Sequence, residues 1–473
     1  MIAAPKSGSG KTGVTCALLK NLKNKGIKTV SFKCGPDYID LLFHKNVLGI
    51  PSYNLDTYFT DPDTTKKLFA RDAEGFDFAV FEGVMGLFDG VGGVKEEGSS
   101  YHLAKVTQTP VVLVIDAKGM GRSIVPEILG FINYDSDKLI KGIILNRVSE
   151  SFYKILKDLI ESECNVKVCG FIPDMKDKAF SSRHLGLVTP SDTEDVDEIL
   201  DALADNFAKF VSFDEIDLIA GEAEDLEDAP DKVCEGGQQG ISCSESLSHG
   251  DARNDGKALN DEPVIAVSQD DAFCFIYEDN LNELKKAGAK IVFFSPLKDK
   301  AVPAETDGLL LTGGYPELHL EELCANTSML ESVRKAFEDR MPIVAECGGF
   351  MYLNETVEDK EGRVYGTVGA LKGKVSYKGK SVRFGYVELS EKTPNFLGKD
   401  EIIKGHEFHY FDCDDNGNDV TARKPFSQKE YDAIKDSENL WAGFPHLYYP
   451  SNPKFAESFV GKCKEFKERK RNG

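Results

Sequence analysis

Cys347 is the residue whose surroundings most clearly indicate chemistry. It stands in Glu346-Cys-Gly-Gly349, directly after an apolar run at residues 342–346. A cysteine on a sharp turn between a strand and a helix resembles a nucleophile elbow, and the helix end lowers the pKa of a thiol. The glycine pair Gly313 and Gly314 follows a neighbouring apolar run and can supply an N–H for an oxyanion. The pattern predicts a nucleophilic thiol, against the alternative of a buried structural cysteine.

A thiolate nucleophile needs a base, and three downstream histidines are candidates. They are His406, His409 and His446. The His-x-x-His spacing of the first two does not match the four-residue spacing of a helical metal pair, and their segment has the pattern of an extended chain. Spacing alone leaves the choice of base open.

A second chemical motif, Ala4-Pro-Lys-Ser-Gly-Ser-Gly-Lys-Thr12, opens the chain between a short apolar start and an apolar-periodic run. A strand, a glycine-containing turn and a helix start form the usual cradle for phosphates. Lys11 would reach the β- and γ-phosphates, and Thr12 would place its hydroxyl on Mg²⁺. Pro5 replaces the first glycine of the common pattern, and Lys6 fits a variant loop in which a second lysine contacts phosphate. The residues predicted to bind the nucleotide here are Lys6, Gly8, Ser9, Gly10, Lys11 and Thr12. The alternative is a chance Gly/Ser/Lys turn before a helix.

The elements that must position this loop are alternating strands and helices. Apolar runs lie at residues 28–33, 76–82, 110–116, 141–146 and 168–172. This alternation predicts an α/β fold with a parallel sheet covered on both faces. Ligands of such sheets bind at the carboxyl ends of the strands, where several polar residues of this chain fall.

Two carboxylates, Glu82 and Asp89, follow one of these apolar runs and are separated by glycines. An acidic residue at a strand end commonly holds Mg²⁺, so we predict a metal role, with a loop-capping carboxylate as the alternative. Asn146 ends another run, and its amide could pair with a nucleotide base edge. An ordinary turn asparagine is an equally good interpretation.

A rigid Gly-Pro turn precedes the polar segment Asp37-Tyr-Ile-Asp40. We predict that Asp37, Tyr38, Ile39 and Asp40 lie beside the phosphate loop around a substrate, with an Asx-type turn as the alternative. Because this turn belongs to the amino-terminal half, substitutions at Tyr38 and Ile39 are expected to affect substrate binding more than chemistry at Cys347.

The pattern changes at residues 221–262, which carry 12 acidic and 3 basic residues and almost no large apolar ones. This composition predicts a flexible linker, and Cys234 and Cys243 within it are interpreted as incidental. Beyond it, apolar runs at residues 263–268, 290–295, 307–312 and 342–346 restart the α/β pattern. The predicted domains are therefore residues 1–220 and 263–473, joined by the linker.

Composition excludes several classes of function. A chain of 473 residues with a net charge of −22 is unsuited to general nucleic-acid binding and to adhesion to anionic membranes. No apolar run approaches membrane-spanning length, and no signal segment is evident. The 11 unpatterned cysteines indicate reduced thiols and a cytoplasmic protein without a zinc site.

Taken together, these segments resemble the cobyrinic acid a,c-diamide synthase family of glutamine-dependent amidotransferases, over nearly the whole chain apart from the acidic linker. The resemblance rests on the order of several motifs. They are the phosphate loop ending at Thr12, Phe32-Lys-Cys-Gly-Pro-Asp-Tyr-Ile-Asp40, Asn54-Leu-Asp56, Phe81-Glu-Gly-Val-Met-Gly-Leu-Phe-Asp89, Asn146-Arg-Val148, Arg183-His-Leu-Gly-Leu187, Gly313-Gly-Tyr-Pro-Glu-Leu318, Ala345-Glu-Cys-Gly-Gly349, Arg383-Phe-Gly-Tyr386 and Gly405-His-Glu-Phe-His409.

The resemblance implies an amino-terminal domain similar to dethiobiotin synthetase and a carboxy-terminal class I glutaminase domain. Cys347 would be the nucleophile, His446 the base, and N–H groups near Gly314 and Gly348 the oxyanion site. One departure is Tyr448, which stands where such enzymes often carry a glutamate or a second histidine. The chain is therefore interpreted as a Cys-His dyad whose histidine is oriented by another group.

The implied substrates are ATP with Mg²⁺, L-glutamine and cobyrinic acid, with amidation of the a and c carboxylates through an acyl phosphate in cobalamin biosynthesis. A homodimer is one possible assembly of the chain. Two alternatives remain: a,c-diamidation of nickel sirohydrochlorin on the same fold, and a partner-switching ATPase with an inert glutaminase-like domain. The second alternative is disfavoured because both Cys347 and His446 are present.

Overall fold

The computed structural model describes residues 1–174, 193–226 and 262–472, with side chains omitted at residues 193–197. The motif at residues 183–187 and nearly all of the predicted linker, including both of its cysteines, lie outside the described residues. The part before residue 227 is called the amino-terminal half below, and the part from residue 262 the carboxy-terminal half.

The amino-terminal half is built on a seven-stranded sheet in the order β3-β2-β4-β1-β5-β6-β7, and its strand pairings are parallel. Its strands are β1 Ile2–Ala3, β2 Thr29–Cys34, β3 Ser52–Leu55, β4 Phe78–Glu82, β5 Val111–Asp116, β6 Ile140–Asn146 and β7 Lys167–Ile172. Its helices are α1 Lys11–Asn24, α2 Ile39–Asn46, α3 Pro62–Ala73, α4 Ser100–Val106, α5 Ile124–Tyr134, α6 Glu150–Cys164, α7 Thr193–Phe210 and α8 Phe213–Ala220. Strands such as β5 are apolar along almost their whole length because helices cover both faces of the sheet. The predicted parallel α/β sheet is confirmed.

The carboxy-terminal half has a six-stranded sheet in the order β10-β8-β11-β13-β23-β22, in which only the β22–β23 pair is antiparallel. Its first strands are β8 Val264–Ser268, β9 Phe273–Phe275, β10 Lys290–Phe294, β11 Gly308–Leu311, β12 Gly313–Gly314 and β13 Ile343–Glu346. The helices are α9 Glu278–Lys286, α10 Leu320–Ala325, α11 Thr327–Glu338, α12 Gly348–Leu353 and α13 Lys454–Asn472.

Two further sheets follow α12, and the sequence patterns did not predict them. One has the order β15-β14-β16-β19 and the other β21-β20-β17-β18-β24. Their strands, with the two that join the six-stranded sheet, are β14 Thr356–Glu358, β15 Val364–Gly366, β16 Lys374–Tyr377, β17 Arg383–Glu391, β18 Ile403–His409, β19 Phe411–Cys413, β20 Val420–Arg423, β21 Glu430–Ala433, β22 Lys435–Ser437, β23 Leu440–Gly443 and β24 His446–Leu447.

The two halves share a hydrophobic core. Tyr277 and Tyr448 of the carboxy-terminal half are buried in one apolar cluster with Phe59 and Leu87 of the amino-terminal half. The rings of Phe59 and Tyr448 stack with centroids 5.0 Å apart. The packing fixes the carboxyl ends of both main sheets against each other, which brings the two predicted chemical motifs to one region.

Among the described residues, no helix combines the length and the apolar character needed to cross a bilayer.

Candidate active site

The phosphate loop connects β1 to α1 through two glycines with left-handed backbone angles. Gly8 has φ +79° and Gly10 has φ +99°, a region that disfavours other residues. A Cβ at Gly10 would lie 2.1 Å from Asn146 Nδ2, so this position is closed to side chains by contact as well as by backbone geometry. The loop is thus a preformed concave backbone turn at the start of a helix.

Lys11 is the first residue of α1, and its side chain lies against the phosphate loop. Its Nζ donates hydrogen bonds to the carbonyl oxygens of Met85, at 2.5 Å, and Lys6, at 3.4 Å. Burial, followed by the nearby charge of Lys33, lowers the pKa of Lys11 to about 8. Within the described chain this ammonium forms no ion pair with a carboxylate, and a phosphate group would supply the missing negative charge.

Thr12 and Glu82 meet at the carboxyl end of β4. Thr12 Oγ1 donates a hydrogen bond of 2.6 Å to Glu82 Oε1. A P-loop threonine beside a buried strand-end carboxylate suits a Mg²⁺ ion that keeps water and phosphate ligands. The described residues contain no group of three or more His, Cys, Asp or Glu side chains that could hold a metal by themselves. Thr12 and Glu82 are the side chains here that could contact a metal bound together with a nucleotide.

Glu82 is also the centre of a buried ionic network. Lys33 Nζ lies 3.1 Å from Glu82 Oε1 and 2.5 Å from Asp40 Oδ2, and His44 Nε2 lies 3.2 Å from Glu82 Oε2. Burial opposes ionisation of Glu82, but Lys33 and His44 hold its pKa below the ordinary value. Burial and the charge of Glu82 raise the pKa of Asp40 to about 7.

Asp37 and Asp89 both cap loops, as the alternative interpretations allowed. Asp37 Oδ1 accepts a hydrogen bond of 2.8 Å from the backbone N–H of Ile39, and Asp89 Oδ2 accepts one of 2.9 Å from Gly86. Both residues also line the large cavity described below. Their predicted roles near substrate and metal stay predictions.

The side chain of Asn146, at the end of β6, hydrogen-bonds to the backbone of the phosphate loop. Its Nδ2 donates a 2.9 Å hydrogen bond to the carbonyl of Ser9, so one side of the amide is committed to the protein. The neighbouring Arg147 donates to the carbonyl of Gly8 at 2.8 Å and pairs with Asp116. A base-edge contact remains a prediction for the Asn146 oxygen. Lys6 is exposed beside the loop, and its predicted phosphate contact also stays a prediction.

Cys347 occupies the turn between β13 and α12 with φ 46° and ψ −102°. This strained conformation is tolerated because the turn is fixed on both sides: the Cys347 N–H donates to Gly443 at 2.8 Å, and its carbonyl accepts from Met351 at 2.9 Å. A Cβ at Gly348 would lie 2.9 Å from Pro316 and 3.3 Å from the backbone nitrogen of Gly314. The backbone of Gly314 therefore adjoins the elbow, as an oxyanion site requires.

His446 is the histidine that packs on the same glycine turn. A Cβ at Gly313 would lie 2.2 Å from His446 Cε1, and His446 Nδ1 is 3.9 Å from Glu346 Oε2. Burial, followed by the adjacent His406, holds the pKa of His446 well below its ordinary value. Burial raises the pKa of Glu346 to about 8. The imidazole is accordingly neutral at rest, as a general base must be.

The other two histidines have different partners. His406 Nδ1 is 3.1 Å from the hydroxyl of Tyr277, and the His409 ring stacks on Phe444 with centroids 4.1 Å apart. His409 Nδ1 also lies 2.6 Å from the carbonyl of Phe411. These contacts favour His446 as the base among the three candidates.

One large cavity joins the two chemical motifs. It has a volume of about 940 Å³ and is lined by Cys347 and His446 from the carboxy-terminal half and by Asp37, Met85 and Asp89 from the amino-terminal half. Lys11 donates to the carbonyl of Met85, so one residue of the cavity wall is in direct contact with the phosphate loop.

Comparisons with known proteins agree with this geometry. Residues 1–187 match the model of the CobQ/CobB/MinD/ParA nucleotide binding domain, and residues 264–454 match the CobB/CobQ-like glutamine amidotransferase domain. Proteins named cobyrinate a,c-diamide synthase align along nearly the full length of this chain. The protein from Caldanaerobacter subterraneus subsp. tengcongensis is 35% identical over 98% of both chains, and that from Fusobacterium nucleatum is 37% identical over 97% of this chain and 98% of the relative.

This chain belongs to the cobyrinate a,c-diamide synthase family. Membership makes it a ligase of the glutamine amidotransferase type, with a nucleotide-binding domain in its amino-terminal half. The predicted fold of both halves is confirmed by the same matches. The predicted domain boundaries stay predictions, although α8 ends at Ala220 and β8 begins at Val264.

The prediction that substitutions at Tyr38 and Ile39 affect substrate binding more than chemistry at Cys347 stays a prediction. The structure adds a contact that the sequence did not indicate. The Tyr38 ring is buried between the halves, 4.4 Å from Tyr277 and 5.4 Å from His446 between ring centroids. Tyr38 therefore touches the candidate base, because the two main sheets face each other through their carboxyl ends.

Tyr448, the departure from the pattern of other diamide synthases, does not replace the missing acid beside His446. Its hydroxyl donates a 2.8 Å hydrogen bond to Asp279, which pairs with Arg71 of the amino-terminal half. Tyr448 thus belongs to the contact between the halves, and Glu346 is the carboxyl group nearest to the imidazole nitrogen by the distances above.

Sequence reasoning did not assign roles to Lys33, His44, Arg147 or Glu346. Lys33 and Glu346 are charged residues at the ends of apolar strands, and that signal was available. His44 carried no such signal, because its contact with Glu82 depends on how α2 packs against β2 and β3.

Proposed function

We propose that this enzyme uses ATP, Mg²⁺ and L-glutamine to convert two peripheral carboxylates of cobyrinic acid, at positions a and c, into amides. The observation that carries the proposal is the shared cavity, which is lined by Cys347 and by Met85, the residue whose carbonyl accepts a hydrogen bond from Lys11 of the phosphate loop. The names of the relatives support the tetrapyrrole substrate. Cobalamin biosynthesis is the pathway that such a product would enter.

The thiol half-reaction begins with Cys347. His446 accepts the thiol proton, and the sulfur attacks the carboxamide carbon of glutamine to form a tetrahedral intermediate. The N–H groups of Gly314 and Gly348 stabilise its oxyanion. His446 then gives the proton to the departing nitrogen, so that ammonia leaves and a thioester remains on Cys347. Water hydrolyses the thioester to glutamate and restores the thiol.

The phosphoryl half-reaction depends on positioning and charge. Lys11 binds phosphate oxygens and offsets the negative charge that develops during transfer to the substrate carboxylate. Thr12 and Glu82 would hold Mg²⁺, which would supply positive charge against the phosphate groups. Ammonia then displaces phosphate from the acyl phosphate and leaves an amide. The cavity that contains Cys347 also reaches Met85, which contacts Lys11, so it offers ammonia a path from one half toward the other.

The test is to incubate the enzyme with cobyrinic acid, ATP, Mg²⁺ and glutamine and to follow the products by mass spectrometry. Two successive amidations, each accompanied by one ADP and one glutamate, are expected. Parallel reactions contain nickel sirohydrochlorin, no tetrapyrrole, or EDTA in excess over Mg²⁺. Glutamine hydrolysis without amidation of cobyrinic acid would refute the proposed substrate, and amidation of the nickel compound alone would replace it.

A further inference from the structure

The hairpin of β17 and β18 presents one aromatic face. Phe384 lies directly opposite Phe408, and Tyr386 lies directly opposite His406. Because side chains alternate along a strand, Phe384 shares a face with Tyr386, while His406 and Phe408 share the matching face with Tyr410. The face therefore runs as a continuous row along the hairpin.

The inner end of this row is covered by the amino-terminal half. The Tyr386 hydroxyl donates a 2.7 Å hydrogen bond to Asp56, and the ring of His406 lies 5.6 Å from that of Tyr38. The outer end is bare: Phe384 is 68% exposed, Phe408 49% and Tyr410 42%. The same sheet face is thus part of the shared core at one end and open to solvent at the other.

Phe426 completes the exposed group from the loop after β20. It is 52% exposed, and a Cβ at Gly92 would come within 2.5 Å of its ring. Its ring therefore touches the glycine turn of the amino-terminal half that follows Asp89. The aromatic shelf is defined here as Phe384, Phe408, Tyr410 and Phe426, and all four line the cavity that also contains Cys347.

Clustered exposed aromatic rings on a protein surface commonly mark a binding site, whereas isolated ones need no explanation. Three rings of the shelf contact one another, with centroids 5.3 Å apart for Phe384 and Phe408 and 5.6 Å apart for Phe408 and Tyr410. Lys360 and Lys424 line the same cavity, and Lys424 is paired with Glu407 at 3.0 Å. The site therefore offers apolar aromatic surface together with the ammonium group of Lys360, which suits a large conjugated ring that carries carboxylates.

We propose that the aromatic shelf binds the macrocycle of the tetrapyrrole substrate and directs its peripheral carboxylates toward the phosphate loop. The inference rests on the proposed function and adds to it the residues that recognise the ring. Glutamine has no aromatic surface, and the adenine base of ATP is much smaller than the shelf of four rings. Of the substrates, the tetrapyrrole is the one with the largest conjugated surface, and the shelf lines the same cavity as Asp89.

The test compares the variants Phe384→Ala and Phe408→Ala, singly and together, with Phe293→Ala. Phe293 is a matched control because it is 50% exposed and lies on β10, outside the cavity lining. Equilibrium dialysis with cobyrinic acid, followed by its visible absorbance, measures the Kd without requiring turnover. We expect the Kd to rise roughly 10-fold for each ring removed, through loss of aromatic contact area. The control should bind like the wild type.

Secondary readouts separate this inference from the proposed function. The shelf variants should keep the wild-type Kd for ATP and the wild-type rate of glutamine hydrolysis, and light scattering should give an unchanged mass. Wild-type Kd values for cobyrinic acid in the shelf variants would overturn the shelf even if the wild type amidates its substrate. A change of mass with an unchanged Kd would also overturn it and assign the face to contact between copies of this chain. Tight binding that depends on the shelf, with no amidation by the wild type, would instead refute the proposed reaction.

Discussion

The phosphate-loop end and the thiol end of the site treat their ionisable groups in opposite ways. At the phosphate loop, buried charges are paired with one another: Lys33 lies within 3.1 Å of Glu82 and within 2.5 Å of Asp40. At the thiol, the two reacting groups, Cys347 and His446, are kept neutral. Burial, followed by the charge of Glu317, raises the pKa of Cys347, and burial lowers that of His446.

This difference indicates whether the charged groups of each half-reaction are present beforehand or form during the reaction. A phosphoryl group carries charge into the site, so the protein holds a fixed ionic network to receive it. Glutamine is uncharged at its amide, so the thiolate–imidazolium pair must form during the reaction. Variants at the two ends should therefore fail in different ways.

The largest effect is expected from Cys347→Ser. The hydroxyl ionises far less readily than the thiol, so glutamine-dependent amidation should fall roughly 10³-fold or more. Amidation with ATP and a high concentration of an ammonium salt should survive, because the phosphate loop is built from other elements. Side-by-side assays with glutamine and ammonium decide the outcome, and loss of both rates in a folded variant would contradict it. His446→Ala should resemble Cys347→Ser, whereas His409→Ala should retain glutamine use.

Lys11→Ala is the reciprocal test at the other end. Loss of its charge should lower amidation roughly 10²- to 10³-fold with either nitrogen source, because the developing phosphoryl charge loses its partner. Basal glutamine hydrolysis should persist, and circular dichroism should match the wild type. Near-normal turnover at saturating ATP would remove Lys11 from the mechanism.

Tyr38 belongs to the amino-terminal half but contacts His446, so its substitution should affect the thiol half-reaction as well. Tyr38→Ala removes the ring packed against His446, so the imidazole loses its fixed position, and glutamine hydrolysis should fall by roughly 10-fold or more. Tyr38→Phe keeps the ring contacts and should stay close to wild type. The ratio of glutamate to amide formed checks whether the half-reactions remain coupled. Unchanged glutamine hydrolysis in Tyr38→Ala would show that the contact has no catalytic effect.

The smallest effect concerns pH. Lys11 has a pKa of about 8 in the free protein, and a bound phosphate should raise it. ATP binding above pH 8 should therefore take up a proton, and the Kd should rise by up to about tenfold per pH unit until the pKa of the complex is reached. Calorimetry in two buffers of different ionisation enthalpy measures this uptake. Lys11→Ala should abolish it, and equal proton uptake in that variant would assign it to another group.

Particular residues show which parts of the site could be predicted from the sequence. The phosphate loop and the Cys347 elbow were predictable because each depends on glycine and on residues close to it in the chain. The aromatic shelf was not predictable, because strand alternation places Phe384 and Tyr386 on the same face. Only the packing of the amino-terminal half over Tyr386 shows that the end carrying Phe384 stays exposed.

By itself, the sequence determined the parallel α/β elements, the phosphate loop and the thiol turn, since backbone geometry and hydrophobic periodicity are local properties. Only the tertiary structure decided that Tyr38 touches His446 and that Glu346 is the carboxyl group nearest its Nδ1. The contact between Tyr386 and Asp56 spans 330 residues, and it forms because the β17–β18 hairpin packs against the carboxyl end of β3. No local pattern encodes such a contact, because its free energy comes from the surfaces that both halves bury together.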